Sequence, residues 1–146
     1  MRLLIGCDAV VADWVAERID GCERGWSDAR AIGVTSRAGL IAGVVYHDWS
    51  PESEVIELSA AATSRHWMTR AVMSRILGYP FGFCQMVVAR YRPDTPAQRI
   101  WRALGSDEFL IPRLMGRGRD CVLATLTAEQ WAESPLNNGG CDHGQT

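Results

Sequence analysis

The chain lacks the features that would announce a membrane, secreted or nucleic-acid-binding protein. No stretch approaches the roughly 20 consecutive apolar residues of a membrane-spanning helix. The first residues carry one arginine and a short apolar run, too short for a signal peptide with its cleavage site. Five cysteines (Cys7, Cys22, Cys84, Cys121, Cys141) include no C-x-x-C pair. An odd set of this kind suits a reduced, cytoplasmic protein. The net charge of only −2 gives no overall drive toward nucleic acid or an anionic membrane. No internal repeat is visible.

What remains is an ordinary globular composition. A length of 146 residues, 47% of them hydrophobic and 22% charged, fits one domain with a real core. We place that domain at 1–134 and read 135–146, polar and rich in Gly and Asn, as a disordered tail. Within the tail, Cys141 and His143 offer two potential ligands, short of the three or four a zinc site needs, so no metal is expected. The charge is uneven. Arg65, Arg70 and Arg75 have no acid among them, and seven arginines between positions 90 and 119 face only Asp94, Asp107 and Glu108.

Periodicity gives the order β-α-β-β-β-α-β-α-β-β, which one mixed sheet covered by helices satisfies: an α/β fold. Residues 2–5 read as a strand. Asp8 caps a helix with Val11, Trp14, Val15 and Ile19 on one face and Gly21 as its stop. Residues 31–36 and 40–49 form a hairpin around Arg37-Ala-Gly39, and 55–61 is the next strand. A second helix begins near Thr63 or Ser64, runs to about Gly78 and is closed by Tyr79-Pro-Phe. Residues 84–89 are a buried strand. Thr95 or Asp94 caps a third helix with Ala97, Ile100, Trp101 and Leu104 inward and Gly105 at its end. Residues 109–115 and 120–126 are the last strands.

The stretch from Glu57 to Arg70 carries the functional expectation. A strand feeds directly into a helix start bearing arginines. First-turn amides lack intrahelical partners and sit at the positive end of the helix dipole, so such a junction suits an anionic phosphate.

This order and these residues resemble the GNAT superfamily of acyl-CoA-dependent N-acetyltransferases, in particular its divergent phage and prophage members. The resemblance covers about 32–126. It implies a mostly antiparallel sheet and an acetyl-CoA co-substrate. The family's pyrophosphate loop reads R/Q-x-x-G-x-G/A. Arg65 matches its first position, whereas Met68 and Arg70 stand where glycines would let the backbone approach phosphate. Phage-type relatives carry a run similar to Trp67-Met-Thr-Arg70. Arg65, His66, Trp67, Met68, Thr69 and Arg70 are therefore the implied diphosphate site. The resemblance also implies Glu57 as the base for the attacking amine, and main-chain N–H groups of Ser59, Ala60 and Ala61 as the grip on pantetheine and thioester. Asp94 stands at the family's Asn position. Trp101 occupies the slot of the tyrosine that protonates the departing thiolate, a task indole cannot perform. The implied reaction is direct transfer of acetyl to an amine on a small molecule or peptide, and exposed sheet edges of this fold allow a homodimer.

Rival readings stand beside these. Glu57 is alternatively a solvent-facing strand residue paired with a neighbouring arginine, Trp101 a core residue, and His47 either an acceptor contact or a plain edge-strand histidine. The same fold could serve as a catalytically inactive phage accessory or binding protein. Residues 95–113 could be a helix-turn-helix, though Pro112 and the apolar run before it fit a recognition helix poorly.

Overall fold

The computed structural model describes residues 1–137. Seven strands form one sheet: β1 (Arg2–Ile5), β2 (Arg30–Ser36), β3 (Gly39–Ser50), β4 (Val55–Ala62), β5 (Met86–Tyr91), β6 (Asp107–Ile111) and β7 (Cys121–Thr127), in the order β1-β2-β3-β4-β5-β7-β6. Every neighbouring pair is antiparallel except β4 and β5. Parallel neighbours need a crossover, and here it is helix α2 (Arg70–Phe81). The remaining helices are α1 (Asp8–Ala16), α3 (Pro96–Leu104) and α4 (Ala128–Glu133). None is long and apolar enough to cross a membrane.

Strand alternation sorts β3 between two covers. Ala42, Val44 and Tyr46 join Ile56, Leu58, Met73, Ile76, Leu77 and Val87 in the main core under α2. Gly43 and Val45 face α1, with Val11, Val15 and Ala31. That second layer is tight because glycine makes room for it. A Cβ on Gly43 would stand 2.7 Å from Val15 Cγ2, and one on Gly33 2.7 Å from Leu40 Cδ2.

Several boundaries differ from expectation for local reasons. Asp8 does not cap α1 but is its first residue. Its carboxylate accepts from the Ala31 amide at 3.0 Å and pairs with Arg30 at 3.3 Å, pinning the helix to β2. The helix ends at Ala16, before Gly21. Residues 64–69 are not helix α2. Ser64 accepts from the His66 amide and caps a separate 3-10 turn, Arg65–Trp67; Thr69, in extended conformation, then caps α2 through the Val72 amide. At its far end α2 continues through Pro80 to Phe81. The sixth and seventh strands start and stop earlier or later than read. The strand at 107–111 excludes the helix-turn-helix, since it occupies the place of a second helix. Helix α4 lies beyond the last strand that periodicity marks. It follows directly from a capping box, in which Thr127 accepts from the Gln130 amide while the Gln130 side chain accepts from the Thr127 amide.

Of the stretch expected as a tail, Pro135–Asn137 form a 3-10 turn. Leu136 packs on the main core and Asn137 donates to the Trp131 carbonyl. Cys141 and His143 lie outside the described residues.

Candidate active site

The sheet parts in its middle. β4 and β5 pair at three positions only: Val55 with Met86, Ile56 with Val87 and Glu57 with Val88. Beyond Glu57, β4 stays on β3 as far as Ala62, and β5 stays on β7 as far as Tyr91. A gap therefore opens between two strands that run side by side. The Thr63 amide donates to the Ile41 carbonyl at 2.8 Å, which fixes the alternation along β4. Odd-numbered residues there bond β3, and even-numbered ones turn their main-chain groups the other way. Ala60 and Ala62 thus point N–H groups at the gap, whereas those of Ser59 and Ala61 face β3.

Glu57 stands where the pairing stops, on the α1 side of the sheet. Its side chain is 14% exposed, and Arg90 of β5 approaches it at 3.4 Å. Burial pushes its carboxyl above the ordinary range; His47 and Arg90 pull back in the other direction and Asp48 adds to the rise. Glu57 thus pairs with an arginine, but it is not solvent-facing: it lies largely covered where the two strands part.

Opposite Glu57 in the β3–β4 register lies His47. Its ring is buried, stacked 5.0 Å from Trp26 of the loop before β2. Nδ1 lies 2.6 Å from Asp48 Oδ2, and Nε2 lies 2.8 Å from Ser59 Oγ. Donor atoms of His47, Asp48 and Glu57 fall within 4.8 Å of one another, a spacing a cation can bridge. Here both ring nitrogens are engaged in hydrogen bonds and Glu57 is held by a guanidinium. The period-two spacing of β4 puts Glu57 and Ser59 on one face, and the β3–β4 register brings His47 to that same face.

The arginine-bearing segment sits at the open end of the gap, because the parallel strands β4 and β5 lead there together. Arg65, His66, Thr69 and Arg70 are exposed, while Trp67 is buried and Met68 packs on the core. Thr69 satisfies the Val72 amide, leaving those of Arg70 and Ala71 without an intrahelical acceptor. Asp94, exposed and at φ 61°, follows β5; its amide donates to Gln98 Oε1 at 2.7 Å. Trp101 packs partly buried against Ala89, Tyr91, Val122 and Ala124. Tyr91 has a buried hydroxyl with no partner among the described residues. Burial and, next, Glu108 raise it to about 12. A separate half-open cavity of about 590 Å³ lies under α2 at the β1–α1 junction and includes none of these residues in its lining.

No family model matches the chain, and no curated protein matches it. Solved structures do. The spermidine N-acetyltransferase SpeG from Vibrio cholerae, in complex with CoA and spermine, matches with a TM-score of 0.61 over 73% of this chain and 70% of that one, at 15% identity. RimJ from Mycobacterium smegmatis, in complex with CoA-disulfide, matches with a TM-score of 0.62 over 78% of this chain and 60% of that one, at 17% identity. This is the fold of the GNAT N-acetyltransferases. Identities this low establish the fold; the chemistry has to be argued from the site.

Proposed function

We propose that the chain is an acyl-CoA-dependent N-acetyltransferase that passes acetyl directly from acetyl-CoA to an amine, with Glu57 as the base. One observation carries this: β4 and β5 separate just past Glu57, so a half-buried carboxylate and the unpaired Ala60 amide border the same opening. An ammonium has no lone pair for a thioester, so the acceptor must first lose a proton. A carboxylate raised by burial takes that proton more readily than a solvated one. The amine nitrogen then bonds to the acetyl carbon and the C–S bond breaks, releasing coenzyme A. The Ala60 N–H is placed to stabilise charge on the carbonyl oxygen, beside the strand segment of Ser59 and Ala61.

For the diphosphate, the fitting groups are the free amides at the start of α2 and the exposed guanidinium groups of Arg65 and Arg70, with His66 and Thr69 beside them. Trp67 and Met68 contribute through the main chain, their side chains being committed to the core. Asp94 borders the same end. The Trp67-Met-Thr-Arg70 run supports a divergent, phage-type member. The acceptor class is a small-molecule or peptide amine, in keeping with the spermine complex of SpeG. The exposed Phe109 and Leu110 on edge strand β6 suit pairing with a second copy.

Calorimetric titration of the full chain with acetyl-CoA tests the reading, alongside transfer assays on a panel of primary amines. Binding that weakens at least about tenfold in Arg65→Ala/Arg70→Ala is expected. Glu57→Gln should slow transfer while leaving that affinity in place. No heat and no shift in melting temperature at millimolar acetyl-CoA would favour the inactive scaffold, in which Met68 and Arg70 replace the glycines that admit phosphate.

A further inference from the structure

Ser59, His47 and Asp48 form a line of hydrogen bonds that amine deprotonation by Glu57 does not use. The polarity of the line follows from chemistry. A carboxylate oxygen can only accept, so the Asp48 contact at 2.6 Å places a proton on His47 Nδ1. With the ring neutral, Nε2 carries the lone pair and the Ser59 hydroxyl donates to it across 2.8 Å. This is the arrangement by which a serine hydroxyl is activated: a base on Oγ, and a carboxylate fixing the tautomer and orientation of that base.

A serine beside a histidine across two strands would be unremarkable alone. Asp48 sets this pair apart. It sits at φ 55°, in the left-handed region that costs a non-glycine residue about 1 kcal/mol or more, where the β3–β4 register slips between His47 and Ser50. That slip turns its side chain back onto the preceding residue's ring. Trp26 covers the ring, which is 4% exposed. Glu57, opposite His47 across the ladder, is paired with Arg90 of β5. Ala60, the residue after Ser59, directs its amide at the gap, where an oxyanion beside Ser59 would form.

We infer that Ser59 is a nucleophile, activated by His47 and Asp48, that takes the acyl group of a thioester or activated ester and gives it up to water. Ser59 Oγ bonds to the carbonyl carbon as its proton moves to His47 Nε2. The C–S or C–O bond then breaks, and His47 returns the proton to the leaving thiolate or alkoxide. Water attacks the acyl-Ser59 ester by the same route, yielding a carboxylic acid and restoring the hydroxyl. The thioester substrate rests on the reading of the gap given above; the nucleophile itself does not.

The experiment treats the full chain with a fluorophosphonate, whose phosphorus bonds to an activated serine as fluoride leaves, and maps the adduct by mass spectrometry. One adduct on Ser59 is expected, formed at least about tenfold more slowly in Asp48→Asn and lost in His47→Gln. Asp48→Asn keeps the test decisive if His47→Gln melts, because position 48 is exposed and asparagine tolerates its positive φ. Amine-free hydrolysis of p-nitrophenyl acetate and of acetyl-CoA should disappear in Ser59→Ala. Absence of an adduct on Ser59 after hours at millimolar probe overturns the inference, as does equal labelling in Asp48→Asn. Acetyl-CoA calorimetry separates the two readings: labelling without coenzyme binding sinks the acetyltransferase and keeps the nucleophile, and the converse does the reverse.

Discussion

Tyr46 donates its hydroxyl to the Ile76 carbonyl at 2.7 Å, and Ile76 is the residue whose carbonyl an amide at position 80 would have served. Position 80 is proline, with no N–H to give. A strand residue thus completes a hydrogen bond that the helix cannot make for itself, and α2 runs on through Pro80 instead of ending before it.

The pair predicts a coupled effect. Tyr46→Phe leaves a buried carbonyl unserved and should cost about 1–2 kcal/mol. Pro80→Ala in that background restores an amide donor and should recover part of the loss, while adding little to the native chain. Urea denaturation of the four-member cycle measures the coupling; strict additivity would show the two groups to be independent.

Arg90 holds the Glu57 carboxyl down against the larger effect of burial. Removing that cation in Arg90→Gln raises Glu57 further. The base must be ionised to accept a proton, so the acid limb of kcat/KM for acetyl transfer should move to higher pH. An unmoved limb would mean that Glu57 does not set it.

Gly43→Ala puts a methyl group 2.7 Å from Val15 and 2.9 Å from Val11. Overpacking of this kind should cost about 1–3 kcal/mol. Val15→Ala, destabilising alone, should relieve part of that cost in the double variant, as thermal melts would show.

Gln98 is buried at the start of α3. It accepts from the Asp94 amide at 2.7 Å and donates to Glu108 at 2.6 Å, where Arg102 also binds. Gln98→Ala should cost about 1–3 kcal/mol in chemical denaturation. Thr95→Ala should cost less, because the Thr95 hydroxyl donates to the Arg92 carbonyl and does not cap the helix.

Strand order and helix faces were legible because alternation and the 3.6-residue period are local. The inward face of α3 is an example: Leu104 is buried, and Ala97, Ile100 and Trp101 pack on the core. The start of α2 was not, because Ser64 and Thr69 are equally good caps on paper and only the burial of Trp67 separates their turns. Pro80 was misleading as a helix stop, since the group that compensates for it is 34 residues away. The start of α4 is written locally as T-x-x-Q, Thr127 to Gln130, but the helix is too short to show an apolar period. Glu57 could be placed beside a gap only through a resemblance, whereas its pairing with Arg90 and the orientation of His47 depend on register between strands distant in sequence. No linear pattern encodes that.

Three rungs of parallel ladder and one helix join the sheet's two halves, and each half is otherwise held by its own antiparallel ladders. The molecule is therefore built as two stiff plates meeting along a short seam. Widening that seam to admit a thicker guest breaks few backbone bonds, so the Met86 and Val88 amides, which face β4, should exchange with deuterium sooner than those of Val44 to Tyr46 next door.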